Sequence, residues 1–235
     1  MQEKQNRGMI KAVVFDIGGT LMEYRSMPNG WASFYPAAFE YARQKLKLEI
    51  SDEQMKKSVE LLKEYNPKLH YREIDYTPEE IFKKVTADWG PAASLDSIIR
   101  AFFESMHLEA YIYDETVPTL ERLRKQGIKI ATYTDVAAGM PDEMHIGYFK
   151  ELMPYFDKYV SSITCGYRKP NPKGLEEIAR YFGITPEEMI MVGDEEKDIK
   201  VAKRFNCYSI LIDRKETNAD FGQDRTIRKL SEIEI

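Results

Sequence analysis

The run "MIKAVVFD" (residues 9–16) carries a short apolar stretch directly into an acid, with no polar alternation on the way. A run of this kind reads as a strand buried on both faces, the form found in parallel sheets. "IKIATYT" (128–134), "YVSSI" (159–163), "MIMVGD" (189–194) and "YSILID" (208–213) read as further strands. Between them lie stretches of helical period. "PTLERLRKQG" closes on Gly127 and "PKGLEEIARYFG" on Gly183, each placed as a C-terminal cap. "EEKDIKVAKRFN" sets Ile199, Ala202 and Phe205 on one side. Strands alternating with helices specify an α/β fold with a Rossmann-like parallel sheet, whose functional edge is the carboxyl ends of its strands.

Residues 23–109 break this rhythm and read as helices. "SDEQMKKSVELLKEY" opens with a capping box from Ser51 to Gln54 and carries Met55, Val59 and Leu62 at helical spacing. "TPEEIFKKVTADWG" offers Thr77 as cap and Pro78 as first residue, with Ile81, Val85 and Trp89 on one face. "SIIRAFFESMHL" adds a further helix. The expected organisation is a polar tail over residues 1–8, a discontinuous core over 9–22 and 110–235, and an inserted all-helical cap over 23–109. Because the insert leaves the sheet just past Asp16, it is expected to cover whatever Asp16 does.

A length of 235 residues accommodates such a core with its insert. The net charge of −5, without basic runs, argues against nucleic acid or an anionic membrane as partner. No stretch approaches the roughly 20 apolar residues of a membrane span. "MQEKQNRG" lacks the apolar centre of a signal peptide, so a cytoplasmic location is expected. Cys165 and Cys207 make no metal or redox spacing and read as reduced core thiols. His70, His107 and His145 are too scattered for a histidine metal cluster. Nothing in the chain specifies an oligomeric state.

Polar residues gather at the strand ends: Asp16, Thr134 with Asp135, Lys169, and Asp194 with Asp198. Each has an ordinary reading as turn acid, helix cap or loop lysine. Together they converge on one sheet edge, and one chemistry uses them all. Asp16 is a carboxylate nucleophile able to take a phosphoryl group. Asp194 and Asp198, one helical turn apart, offer oxygens to a hard cation such as Mg2+. The Thr134 hydroxyl can hold a phosphoryl oxygen, and Lys169 can neutralise the crowded acids. Gly18 and Gly19 are expected to let the backbone turn sharply and approach the phosphoryl oxygens.

In these four segments, "FDIGGTL", "ATYTD", "YRKPNP" and "VGDEEKD" in that order, the chain resembles the haloacid dehalogenase superfamily of hydrolases. The resemblance implies that Asp16 is the nucleophile, that the insert is a helical cap, and that a small phosphorylated molecule is the substrate. It also implies that Mg2+ is held by Asp16, the Gly18 carbonyl and Asp194, with Asp198 a ligand or a support behind them. Thr134, Asp135, Lys169, Gly18 and Gly19 would contact the phosphoryl group. The chain departs from the pattern at Gly18, where phosphatases of this family carry a second Asp as general acid and then base. A positioned acid contributes about 10²–10⁴ in rate, so turnover that is slow or limited to good leaving groups is expected. Glu23, Tyr24 and Arg25 are nominated as replacements. Alternatives are carbon–phosphorus cleavage through a cap lysine, Lys56 or Lys57, and a phosphate- or metabolite-binding protein without efficient turnover. A dehalogenase has no use for the acids of "GDEEKD".

Overall fold

The computed structural model describes residues 9–27, 30–90 and 93–235, so the tail expected over 1–8 lies outside them. The described residues divide into two compact units: 9–23, 110–135 and 149–235, and 24–109 with 136–148.

The first unit is built on a six-stranded sheet of order β5-β4-β1-β6-β7-β8. Its strands are β1 (Ala12–Phe15), β4 (Lys129–Thr134), β5 (Lys158–Ser161), β6 (Met189–Gly193), β7 (Tyr208–Ile212) and β8 (Arg225–Ile227). All five pairings are parallel. The central strand is buried along its length, as its unbroken apolar run requires. Helices α5 (Thr116–Lys125), α7 (Ser162–Cys165), α8 (Lys173–Phe182) and α9 (Glu196–Phe205) make the crossovers. Val14, Tyr133 and Met191 pack with Leu175 and Ile178 of α8 and Val201 and Ala202 of α9. Gly183 caps α8 in the left-handed conformation, as its position foretold. A second, two-stranded sheet pairs β2 (Met22–Tyr24) with β3 (Ala110–Ile112).

The second unit is helical: α1 (Tyr35–Leu46), α2 (Asp52–Glu64), α3 (Pro78–Val85), α4 (Leu95–Glu104) and α6 (Asp142–Gly147). The capping boxes at Ser51–Gln54 and Thr77–Glu80 are both formed. Its core is aromatic, with Phe39 and Phe102 ring centroids 4.7 Å apart and Phe82 5.3 Å from Phe102. Trp89 Nε1 donates to Ser58 Oγ at 2.9 Å, which in turn donates to Val85 O at 2.7 Å. Residues 136–148, assigned to the core from sequence, group with these helices instead. Gly139 packs so close to Phe82 that a Cβ there would lie 2.7 Å from the ring, and Arg100 bridges to Glu143 at 3.1 Å.

Candidate active site

Register brings the polar residues to one edge. Phe15 stands beside Thr132 of β4 and Val192 of β6. Asp16 is the first residue past β1, and its N–H donates to Val192 O at 2.9 Å. Two residues beyond those partners come Thr134 and Asp194. The parallel ladder, and nothing more local, sets these ends level.

Lys169 arrives from the loop between α7 and α8. That loop is tied to β4 by the Tyr133 hydroxyl, which donates to Asn171 O at 2.8 Å and Tyr167 O at 3.2 Å. Gly174 lets α8 come close, since a Cβ there would lie 2.4 Å from the Tyr133 ring. Asp135 Oδ1 accepts from the Lys169 N–H at 3.1 Å, and Arg204 donates to Pro170 O at 3.2 Å. The Lys169–Pro170 peptide is cis. The buried Lys169 ammonium then lies 2.6 Å from Asp16 Oδ1 and 2.6 Å from Asp198 Oδ1. Asp198 is fully buried on the first turn of α9, and its Oδ2 accepts from the Glu195 N–H at 2.9 Å. One carboxylate oxygen from each of Asp16, Asp194 and Asp198 lies within 4.8 Å of the other two.

These carboxylates are crowded. Burial, with Asp16 and Asp198 alongside, pushes Asp194 well above the ordinary carboxylate range. Burial likewise raises Asp198, against the pull of Lys169. Burial alone would lower the Lys169 ammonium, but Asp16, Asp198 and Asp135 outweigh it and hold the lysine charged. Asp135 resists its own burial because Lys197, Arg168 and Lys169 hold it below the usual range. The convergent acids are an oxygen-only donor set short of positive charge, which suits a hard divalent cation.

The two glycines differ. Gly19 has φ +80°, and a Cβ there would fall 2.1 Å from Asp194 Oδ2, so only glycine fits. Its N–H donates to Met22 O at 2.7 Å, so its contribution is close approach and not a free donor. Gly18 has no positive φ, and a Cβ there meets nothing within 4 Å. Of the two, Gly19 alone sits where the backbone and its surroundings require glycine.

Thr134 is buried and reaches the edge by register. Glu23 accepts from the Tyr113 hydroxyl at 3.2 Å. The Tyr24 ring meets Trp31 and Tyr148 edge-on, at 5.7 and 5.2 Å. The Arg25 N–H donates to Glu109 O at 2.9 Å. Lys56 and Lys57 are exposed on α2, and Lys57 pairs with Asp88. Both cysteines are free thiols, and burial pushes Cys165 up to about 11 and Cys207 up to about 12.

Three neighbours escaped the sequence reading. Lys197 lies 3.1 Å from Asp135 Oδ2 and 2.6 Å from Glu195 Oε2. It stands inside "GDEEKD", so its place one residue before Asp198 was a usable signal. Thr20 donates from Oγ1 to Asp194 Oδ1 at 3.4 Å. Arg214, after β7, donates to the backbone carbonyls of Gly19 and Thr20 at 3.3 and 2.7 Å. Only the tertiary neighbourhood of β6 and β7 reveals it.

Residues 10–206 match the family model described as haloacid dehalogenase-like hydrolase. The glyceraldehyde 3-phosphate phosphatase of Methanopyrus kandleri is 31% identical over 208 residues, covering 88% of this chain and 85% of the relative. Among solved structures, a HAD phosphatase from Thermococcus onnurineus is 25% identical, with TM-score 0.63 and 95% of each chain covered. A 2-haloacid dehalogenase from Pseudomonas syringae is also 25% identical, with TM-score 0.65, covering 95% of this chain and 96% of that one.

Proposed function

This chain belongs to the haloacid dehalogenase-like hydrolases, and from that premise we propose that it is a Mg2+-dependent phosphohydrolase acting on a small phosphorylated metabolite. The observation that carries the reading is the convergence of Asp16, Asp194 and Asp198, with the buried Lys169 paired to Asp16 and Asp198. The phosphatase names of two of the relatives support it.

Asp16 attacks phosphorus through a carboxylate oxygen, and the bond from phosphorus to the leaving oxygen breaks. The phosphoryl group stays on Asp16 as an acyl phosphate, which water then hydrolyses to release phosphate and restore the carboxylate. Lys169 holds Asp16 by Oδ1, fixing its orientation and offsetting charge on the transferring group. The Thr134 hydroxyl steadies a phosphoryl oxygen, and Asp135 sets the Lys169 loop through the Lys169 N–H. Mg2+ bound by Asp16, Asp194 and the Gly18 carbonyl would draw electron density from the phosphoryl oxygens. Asp198 commits both oxygens, to Lys169 and to the Glu195 N–H, which fits it to hold the lysine from behind.

Gly18 supplies no proton to the leaving oxygen and takes none from the incoming water. Leaving groups that depart unprotonated, such as p-nitrophenolate or a carboxylate, are therefore favoured over alkoxides.

The dehalogenase from Pseudomonas syringae keeps a second reading in view. Carbon–halogen displacement also uses a carboxylate nucleophile, but it leaves the crowding of Asp194 and Asp198 without a purpose. A panel of phosphate esters, acyl phosphates, phosphonates and 2-haloacids, each with and without Mg2+, tests the proposal. Phosphate release that needs Mg2+ supports it; halide release without metal, or borohydride-trapped turnover of a phosphonate, contradicts it.

A further inference from the structure

Arg214 lies outside all four strand-end segments, yet its guanidinium reaches the loop that follows Asp16. It donates from Nη2 to Thr20 O at 2.7 Å and from Nε to Gly19 O at 3.3 Å. Nη1 is held by Glu115 Oε1 at 2.5 Å, and the guanidinium lies 3.6 Å from the centroid of the Tyr113 ring. Tyr113 is itself anchored to Glu23 Oε2 at 3.2 Å. A planar fork stacked on a ring and fixed at one end is preorganised, so little entropy is lost in holding two consecutive carbonyls.

What those carbonyls carry is the floor under Asp194. Gly19 comes so close to Asp194 that a Cβ there would lie 2.1 Å from Oδ2, and the Thr20 hydroxyl donates to Oδ1 at 3.4 Å. The Thr20 and Leu21 N–H groups both turn back to Ile17 O, at 3.3 and 2.9 Å. With N–H groups tied on one side and carbonyls on the other, the Gly19 and Thr20 peptide planes have one orientation left. From this geometry we infer that Arg214 is a positioning residue: through Gly19 and Thr20 it seats the Asp194 carboxylate, and the affinity of the site for Mg2+ depends on it. The inference rests on the proposed Mg2+ site at Asp16 and Asp194.

Two measurements on the full chain test it. The first is Mg2+ binding by titration calorimetry for wild type, Asp194→Asn, Arg214→Met, Arg214→Lys and Glu115→Gln. Arg214→Met should weaken binding about tenfold, as expected for losing charged hydrogen bonds to the loop. Arg214→Lys, which keeps the charge but not the fork, should fall between it and wild type. The second is amide exchange over residues 17–22 in metal-free protein, with β1 and β6 as internal reference. Arg214→Met should speed exchange at Thr20 and Leu21 while the strands keep their protection, a local change that general destabilisation would not give. Should Arg214→Met fail to fold, Arg214→Lys and Glu115→Gln carry the same expectation in weaker form. Wild-type protein that binds no Mg2+ would overturn the cation-site reading and, with it, the affinity claim. Wild type that binds, Asp194→Asn that does not, and Arg214 variants with wild-type affinity and exchange would overturn this inference alone.

Discussion

Lys169 holds Asp16 in a buried ion pair, Nζ to Oδ1 at 2.6 Å, with no solvent exposure of the lysine side chain. A surface pair at this distance would be worth little, but here the same ammonium also serves Asp198 at 2.6 Å. Removing it leaves two carboxylates facing each other in a buried place, which disfavours the charged nucleophile. Lys169→Met should therefore lower kcat for p-nitrophenyl phosphate by about 10²–10³, the scale of one lost electrostatic stabiliser. Wild-type kcat in a folded Lys169→Met protein would contradict the role given to Lys169.

The two glycines make opposite predictions. Gly19→Ala forces a side chain into a left-handed backbone and against Asp194, costing at least about 1–2 kcal/mol of stability and weakening Mg2+ binding. Gly18→Ala should be nearly silent in thermal unfolding, because its Cβ meets open space. Gly18→Asp should raise turnover of alkyl phosphates, by up to about 10²–10⁴, and change p-nitrophenyl phosphate much less. Equal effects on both substrates, read as kcat/KM, would mean that another residue already protonates the leaving group.

Asp135 makes a prediction about stability and acid. Its carboxylate receives the Lys169 N–H and the Lys197 ammonium, and these neighbours hold its folded pKa below the ordinary value of 3.8. A depressed carboxylate stabilises the fold above its unfolded pKa. As pH falls, the unfolded chain binds the proton first, so that stability drains away below about pH 4–5. Asp135→Ala should lose about 1–3 kcal/mol at neutral pH, where it strands the Lys169 N–H. It should also show a flatter decline between pH 5 and 3 in denaturant melts. A slope as steep as that of wild type would show that Asp135 is not the group titrating.

Much of this arrangement is legible in the chain because parallel strands are marked by continuous apolar runs, and the residue that ends each run lands at the functional edge. Asp16 and Asp194 are visible in that way, Asp198 through its place one helical turn after Asp194, and Lys169 through its place in "YRKPNP". The strands β2, β3 and β8 were not, since three residues such as Arg225–Ile227 carry too little apolar period to stand out from a loop. Residues 136–148 join the helical unit across a long separation in sequence, through Gly139 against Phe82 and Glu143 against Arg100, and no local pattern encodes such packing. Arg214 was illegible for the same reason: its partners are carbonyls of Gly19 and Thr20, and backbone atoms leave no trace in residue identity.

The central claim is that the phosphoryl group passes through Asp16. The direct measurement is rapid acid quench of the protein during turnover of p-nitrophenyl phosphate with Mg2+, followed by peptide mass spectrometry and borohydride reduction. With no acid–base group at Gly18 to hasten hydrolysis, the intermediate should accumulate after a burst of p-nitrophenol. The account predicts one phosphoryl group on the peptide containing Asp16, reduction of that residue to homoserine, and neither signal in Asp16→Asn. Steady turnover with that peptide unmodified, and an Asp16→Asn protein as active as wild type, would contradict it.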